Sequence, residues 1–313
     1  MTIFNPSSKF LDPRIQYGES ITKTLNAEDT PAFIKELKKN AELKICGKLT
    51  RTIFNEIIEA IKLKSYCFLS LDFTETQGLK RIRNRAFYHC ESLYSIKLPD
   101  SIQEVGKEAF KWCRNLCYVE LGKGTYILRK RAFAQCSTLE KIMIDTCVSI
   151  EDEVFYFCDS LQSIKIPKTV QTIGEWVFQD CENLTEITAD ENNKSYTAQD
   201  GVLYDKNKTT LIHYPANKKD TRFEIPDTVK KIERWAFSGN KYICGVKIPK
   251  NVEHIGDWAF QGCESLEGVT IENEQLKPNI SVFAGCIFGC ECIKADEEFE
   301  KQLHDSINEK QII

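Results

Sequence analysis

The residues with the clearest metal-binding chemistry lie near the C-terminal end of the chain. Cys286, Cys290 and Cys292 form a CxxxCxC pattern, and His304 follows twelve residues after the last of them. Thiolates together with one imidazole are a ligand set that zinc accepts. The spacing is not that of a standard zinc finger, and Cys286 also belongs to the repeating column of cysteines described below. We therefore predict no bound metal and no cofactor. An enzyme that depends on a metal or a thiol at this Cys/His cluster is the alternative.

Catalysis by a cysteine nucleophile requires a histidine within hydrogen-bonding distance. The chain has only four histidines, His89, His213, His254 and His304. His89 is adjacent to Cys90, but the side chains of successive residues generally point apart. The motifs GxGxxG, GxxxxGK[ST], HExxH and GxSxG are absent from the sequence. The sequence thus predicts no catalytic residues, and we expect that the protein is not an enzyme.

The composition argues against several classes of partner. The 313 residues include 42 Lys and Arg against 46 Asp and Glu, a net charge of -4, so nothing favours general attraction to nucleic acid or anionic lipid. The N-terminus lacks the basic start and apolar run of a secretory signal, and no apolar stretch approaches the roughly 18 residues needed to span a bilayer. We expect a cytoplasmic protein without nucleic-acid binding or membrane insertion. The alternative is a cell-surface or secreted protein that uses a non-classical route or whose leader was removed.

A phenylalanine recurs through most of the chain at a nearly constant interval. The anchors are Phe87, Phe110, Phe133, Phe155, Phe178, Phe237, Phe260 and Phe283. Their separations are 23, 23, 22, 23, 59, 23 and 23 residues, so the single long interval equals one period plus 36 residues. Alanine or valine precedes each anchor, and cysteine follows three residues later in all copies but one, where Asn240 stands. A period in this range indicates a solenoid of stacked coils.

The chemistry of each column predicts the structure of one coil. Residues nine and eleven positions after the phenylalanine are apolar with polar residues between them, as at Ile164 and Ile166, which is the period of a short strand with one buried face. The small residue, phenylalanine, cysteine and leucine have spacings that suit a tight helical turn. A single coil cannot bury its apolar side alone, whereas stacked coils can. We predict an α/β repeat solenoid of short parallel strands and short helical or 3₁₀ segments.

The repeat resembles that of the BspA-like leucine-rich repeat family, whose pattern is approximately I-x-I-P-x-x-V-x-x-I-G-x-x-A-F-x-G-C-x-x-L. The segment from Lys247 to Leu266, KIPKNVEHIGDWAFQGCESL, matches this pattern closely, and the resemblance covers roughly Leu79 to Cys286. It implies a leucine-rich repeat fold. It also implies a role in adhesion or host interaction, because members of the family are often described as surface or secreted proteins. The absence of a visible leader departs from that pattern.

The two ends of the chain are predicted to cap the solenoid. Residues 1–78 form the N-terminal cap, with helices expected at 32–39 and 52–62 and strands at 43–46 and 68–73. Residues 79–290 form the repeat region, and residues 291–313 form a polar, amphipathic capping helix.

One insertion interrupts the repeat at residues 190–225. Two apolar or β-branched segments, at 201–204 and 209–214, flank the polar turn at 205–208, so the insertion is predicted to contain a β-hairpin. Insertions in solenoids map to loops, so this hairpin is either an enlarged coil or a binding protrusion.

Seven of the fourteen cysteines share one column of the repeat. Neighbouring strands lie about 5 Å apart, whereas a disulfide prefers a Cβ separation of about 3.8 Å. We therefore predict free thiols that act as small buried packing groups.

Residues eight and ten positions after each phenylalanine are predicted to face solvent on the sheet. Lysines outnumber glutamates at these positions, and a tyrosine and a methionine provide apolar contact area. Solenoids commonly bind through an extended surface, and tyrosine is enriched at binding hot spots. The sequence predicts a non-enzymatic scaffold that binds a protein or peptide ligand through this face. The predicted binding residues are Tyr118, Glu120, Lys141, Met143, Lys165, Glu186 and Lys247.

Overall fold

The computed structural model describes residues 20–64, 67–286 and 293–294. The N-terminal part alternates strands with helices. The elements are β1 (Ser20–Asn26), α1 (Thr30–Glu36), β2 (Asn40–Lys48), α2 (Arg51–Lys62) and β3 (Leu69–Gln77). Both helices and the last two strands lie where the sequence placed them to within a few residues, whereas β1 was not predicted. The three strands are parallel, in the order β1–β2–β3.

Helix α2 packs against the first coil of the repeat region. The side chain of Thr50 accepts a hydrogen bond from the Ile53 N–H at 3.3 Å and so caps the first turn. Apolar residues at helical spacing, such as Phe54, Ile57 and Ile61, are buried on one face. The ring of Phe54 meets the ring of Phe87 edge to face at 5.7 Å. This contact places an aromatic side chain of α2 against the first repeat anchor.

The repeat region is a solenoid with two rows of parallel strands. One row, which we call the front row, consists of the strands Leu93–Lys97, Tyr118–Glu120, Lys141–Met143, Ser163–Ile166, Glu186–Ala189, Arg222–Glu224, Gly245–Ile248, Gly268–Ile271 and Ile293–Lys294. The other row, which we call the back row, consists of the strands Arg81–Ile82, Glu104–Val105, Ile127–Leu128, Ser149–Ile150, Thr172–Ile173, Lys231–Ile232 and His254–Ile255. Strand β3 pairs with the first front-row strand, so the N-terminal sheet continues into the solenoid. The predicted parallel repeat solenoid is confirmed.

The segment between the two rows differs from the prediction. In the coils of Phe87 to Phe260 that have a phenylalanine anchor, consecutive turns take the place of a short helix and are closed by bonds of the type Cys136 N–H to Phe133 O, at 3.2 Å. Residues two before and two after the phenylalanine have positive φ, for example 58° at Arg131 and 61° at Gln135. A left-handed residue cannot continue a right-handed helix. The expectation of helical segments in every coil is therefore wrong; within the described repeat coils a single 3₁₀ helix occurs, at Ile280–Phe283.

The phenylalanine anchors form a buried stack along the solenoid. Every anchor from Phe87 to Phe283 is at most 3% exposed. Ring centroids of neighbours lie close together, at 4.8 Å for Phe87 and Phe110 and at 5.0 Å for Phe110 and Phe133, with nearly parallel planes. Equal coil lengths thus place like residues on like residues, as the repeat predicted.

The long interval in the repeat contains a further coil that is anchored by a tyrosine. Tyr214 lies 23 residues before Phe237 in the sequence, and the two rings stack at 4.8 Å. Nine and eleven residues after this tyrosine come Phe223 and Ile225, and Pro226 follows, which is the front-row pattern of the other coils. The insertion proper is therefore shorter than the spacing of phenylalanines suggested.

Three antiparallel strands precede the tyrosine coil and form one five-stranded sheet with the back-row strands Lys231–Ile232 and His254–Ile255. The three strands are Tyr196–Gln199, Val202–Asp205 and Thr210–His213. The last two make the predicted hairpin, while the first strand was not predicted. The buried core consists of two clusters that meet here, because Leu203 packs into the N-terminal cluster and its neighbours Val202 and Tyr204 pack into the C-terminal one.

The cysteine column adds hydrogen bonds between coils. The thiol of Cys136 donates to the carbonyl of Phe110 at 3.1 Å, and that of Cys158 donates to the carbonyl of Phe133 at 3.2 Å. The twelve cysteines in the described part of the chain all carry free thiols, as the spacing argument predicted.

Asn240 replaces cysteine in the coil that follows the tyrosine anchor. Its amide nitrogen donates to the carbonyls of Pro215 (2.9 Å) and Lys218 (3.0 Å). Its amide oxygen accepts from the N–H groups of Tyr242 and Ile243, both at 2.9 Å. The irregular coil before it thus presents two carbonyls where the other coils present one, and an amide satisfies both.

Candidate functional site

Four of the predicted binding residues form one contiguous patch on the front row. Tyr118 lies opposite Lys141, and Glu120 lies opposite Met143, on neighbouring strands. The hydroxyl of Tyr118 donates to Glu120 Oε2 at 3.1 Å and lies 3.5 Å from Met143 Sδ. We call these four residues the front-row cluster. The Tyr118 side chain is held against those of Glu120 and Met143, which orients the tyrosine ring.

The environment of the front-row cluster raises the pKa of its tyrosine. Partial burial, reinforced by the nearby carboxylate of Glu120, raises the pKa of Tyr118 to about 12. The hydroxyl is protonated at neutral pH, as in any tyrosine, and donates to Glu120. The ammonium of Lys97 lies 3.7 Å from Glu120 Oε2, and Lys141 is exposed at the edge of the cluster. A half-buried aromatic ring with a polar, charged margin is the usual composition of a binding hot spot.

The other predicted residues are distributed along the front row. Lys165 and Glu186 lie on two paired strands, and the Lys165 side chain is 67% exposed, with Nζ 3.8 Å from Asp190. The hairpin passes next to Glu186, because the N–H of Ile187 donates to the carbonyl of Gly201 at 2.9 Å.

Lys247 lies on the far side of the insertion. Its ammonium is 2.9 Å from Glu272 Oε1. The structure therefore brings together the front-row cluster but separates Lys247 from it.

Two exposed front-row residues were missed by the sequence prediction. Arg222 and Glu224 lie on the strand of the tyrosine coil, with Arg222 opposite Gly245 and Glu224 opposite Lys247. The sequence did contain a signal for this strand: the apolar residues Phe223 and Ile225 flank the polar residue Glu224, and a proline follows, as in the other front-row strands. It was overlooked because the repeat was aligned on phenylalanine, and this coil has tyrosine as its anchor.

The described residues offer little support for a metal centre. The thiol of Cys286 donates to the Phe260 carbonyl at 2.9 Å, and burial raises its pKa to about 12, so it is a protonated member of the cysteine column. Cys290, Cys292 and His304 lie outside the described residues. Within 20–64 and 67–286, no three His, Cys, Asp or Glu side chains are grouped as metal ligands. In the same ranges no helix has both the length and the apolar character needed to cross a bilayer.

Comparison with known proteins identifies the family. The family model described as "BspA type Leucine rich repeat region" matches residues 80–209 and 214–301, with six copies. The chain belongs to the BspA type leucine-rich repeat family. No match was found among curated proteins.

Several solved bacterial structures share the fold. A leucine-rich repeat protein from Eubacterium ventriosum is 24% identical, with a TM-score of 0.56 over 72% of this chain and 65% of that chain. A leucine-rich cell surface protein from Faecalibacterium prausnitzii is 23% identical, with a TM-score of 0.52 over 86% and 73%. The pneumococcal vaccine antigen PcpA is 23% identical, with a TM-score of 0.50 over 81% and 60%. The chain thus spans less than two thirds of the length of the first and the third of these proteins.

The comparisons bear on the predicted location. The Faecalibacterium protein is described as a cell surface protein. The prediction of a cytoplasmic protein receives no support from these matches.

Proposed function

We propose that this protein is a non-enzymatic scaffold that binds a protein ligand through its front row, in an adhesin-like or host-interaction role. The observation that carries this proposal is the front-row cluster. Tyr118 and Met143 are partly exposed and provide apolar contact area on the front row, and the hydrogen bond from the Tyr118 hydroxyl to Glu120 orients the tyrosine. Because the cluster is already ordered, binding costs less side-chain entropy than it would at a flexible surface.

The charges around the cluster define the surface of the ligand. Lys141 and Lys165 are exposed on the front row near the tyrosine, whereas Glu120 is engaged by the Tyr118 hydroxyl. An apolar centre with exposed ammonium groups beside it complements a protein surface that carries an apolar side chain flanked by carboxylates. Burial of the tyrosine supplies most of the affinity, and the lysines increase the association rate and set its dependence on salt.

The decisive experiment compares capture by a front-row variant with capture by a matched control. The double variant Tyr118→Ala, Lys141→Glu removes the ring and reverses one charge, while Tyr126→Ala removes a tyrosine that is 41% exposed beside a back-row strand. A protein captured by the wild-type chain is then titrated against all three. We expect the double variant to bind roughly 10- to 30-fold more weakly and Tyr126→Ala to bind as the wild type does. Equal affinity of all three would exclude the front-row cluster as the binding surface.

A further inference from the structure

The residues two positions before the anchors form a column that changes character along the solenoid. In the first four coils this column alternates arginine with glutamate. Its members there are Arg85, Glu108, Arg131 and Glu153. They form two ion pairs between neighbouring coils, one of them with 2.6 Å between Arg131 Nε and Glu153 Oε2. The first half of the column thus pairs its own charges.

Three of the later coils carry tryptophan in the same column, at Trp176, Trp235 and Trp258. Backbone φ at this position lies between 55° and 61° in both halves of the column, so the conformation does not explain the aromatic side chains. The rings of Trp235 and Trp258 stack at 5.1 Å, and the ring of Trp176 meets that of Trp235 edge to face at 6.4 Å. Trp176 is 37% exposed, and the other two are partly exposed. The second half of the column therefore presents aromatic area at the surface.

Arg234 lies on this aromatic surface. Its guanidinium is 5.0 Å from the centroid of the Trp258 ring and 5.9 Å from that of the Trp176 ring. A Cβ at Gly256 would lie 2.9 Å from Arg234 Cγ, so the glycine lets the arginine stem pass close to the next coil. The arginine is exposed, and its guanidinium makes no hydrogen bond or ion pair with the residues that the structure describes. We call Trp176, Arg234, Trp235 and Trp258 the tryptophan–arginine patch.

The guanidinium of Arg234 is oriented but has no acceptor. A guanidinium carries five N–H donors in a planar fork that matches a carboxylate. Indole rings offer no hydrogen-bond acceptor, so the contacts with Trp176 and Trp258 leave these donors available. Because the two rings already hold the arginine, a ligand that binds it pays less side-chain entropy than it would at a mobile arginine. The geometry therefore suits a ligand with a carboxylate beside an apolar group.

The charges next to the patch give this ligand a distinctive response to substitution. Glu233 is paired with Lys231 at 2.7 Å, and Asp257 accepts a hydrogen bond from the Ser281 hydroxyl at 2.8 Å. Glu175 is exposed beside Trp176 and forms no ion pair within the described part of the chain. This carboxylate repels an acidic ligand and attracts a basic one. Its removal should strengthen the binding of the first and weaken the binding of the second.

We propose that the tryptophan–arginine patch binds an acidic peptide segment of a partner protein. The carboxylate of an aspartate or glutamate accepts two hydrogen bonds from Arg234, and an apolar side chain next to it covers Trp176. Tryptophan and arginine are among the residue types most enriched at binding hot spots, and a bidentate arginine–carboxylate pair adds geometric specificity. The patch follows the back-row strands in the chain and shares no residue with the front-row cluster, so the two surfaces can be tested separately.

The test is a selection of random heptapeptides displayed on phage, carried out on the full chain and counter-selected on Arg234→Gln. Selected peptides are then synthesised and titrated by fluorescence anisotropy. We expect enrichment of aspartate or glutamate next to an apolar residue, and binding to Arg234→Gln that is weaker by about tenfold or more. Arg234→Lys should lose most of the affinity as well, because an ammonium keeps the charge but not the bidentate fork. Glu175→Gln should bind about two- to threefold more tightly.

Arg114→Gln is the matched control. Arg114 is also exposed and lies 4.6 Å from the ring of Trp112, but it does not belong to the patch. This variant and the Tyr118→Ala, Lys141→Glu variant should bind the selected peptides as the wild type does. No enrichment, enrichment of basic peptides, an equal loss with Arg114→Gln, full affinity of Arg234→Lys or weaker binding to Glu175→Gln would each overturn the proposal. Arg234-dependent binding to a sialylated glycan array without peptide enrichment would also overturn it, because the carboxylate would then come from a carbohydrate.

Discussion

Replacement of Asn240 by alanine should destabilise the solenoid more than removal of a column cysteine. Asn240 is fully buried and makes four hydrogen bonds with backbone groups, two as donor and two as acceptor. Each buried group left without a partner costs about 1 to 3 kcal/mol, and relaxation of the neighbouring turn recovers part of that loss. We expect Asn240→Ala to lower the free energy of unfolding by about 4 kcal/mol, near the upper limit for single substitutions.

Cys136→Ala is the matched control for this prediction. Cys136 is equally buried and occupies the same column, but its thiol makes one hydrogen bond, to the Phe110 carbonyl at 3.1 Å. A thiol is a weak donor, so we expect a loss of about 1 to 2 kcal/mol. Urea unfolding followed by far-ultraviolet circular dichroism gives both midpoints, and amide hydrogen exchange shows whether the loss with Asn240→Ala is centred on residues 214–243. If Asn240→Ala shifted the midpoint no more than Cys136→Ala, the role of the amide in replacing the thiol would be refuted.

Three further predictions concern titration, thiols and metal. Burial lowers the pKa of His213 from about 6.5 to about 4. Between these pH values the unfolded chain binds a proton at this histidine and the folded chain does not. The free energy of unfolding should therefore fall as the pH drops from about 6.5 to about 4. His213→Phe should remove up to about 1.4 kcal/mol per pH unit of that slope, and parallel pH profiles for the two proteins would contradict it. Native alkylation followed by mass spectrometry should label the partly exposed Cys244 and spare Cys136, while unfolding without reductant should release close to fourteen thiols; two or fewer would mean disulfides. Elemental analysis of the purified chain should find no stoichiometric zinc, and one zinc per chain would revive the alternative at Cys286 to His304.

The sequence predicted the repeating coil because burial fixes the spacing of its apolar residues. A phenylalanine every 23 residues has to face the same core. In each strand the apolar residues alternate with polar ones, as at Ile164 and Ile166, so only one face of the strand can point into that core. The turns were not predicted, because their positive φ values occur at residues such as Arg131 and Gln135, which do not mark a left-handed conformation as glycine would. The tyrosine coil was missed because Tyr214 fills the place of phenylalanine.

For the candidate site, features that depend on the local sequence were predicted, whereas features that depend on contacts between distant residues were not. Alternation along one strand predicts that Tyr118 and Lys141 face solvent, and the constant coil length predicts that they are neighbours. The insertion separates Lys247 from these two residues. The sequence shows how long the insertion is, but it does not show the path that the insertion follows. The meeting of Trp176 and Trp235, whose rings lie 6.4 Å apart, was not predicted because the two residues are 59 positions apart in the sequence. A signal did exist: three coils carry tryptophan two residues before the anchor, where the first four carry arginine or glutamate.

The central claim is that the recurring phenylalanines stack on one another within each of the two core clusters and so hold the coils together. The most direct test compares Phe133→Ala with Phe157→Ala in urea unfolding. Phe133 is fully buried between Phe110 at 5.0 Å and Phe155 at 6.0 Å, whereas Phe157 is 38% exposed outside that column. We predict that Phe133→Ala costs about 3 to 5 kcal/mol and Phe157→Ala costs less than about 1.5 kcal/mol. Equal losses for the two variants would contradict the stacked-coil account.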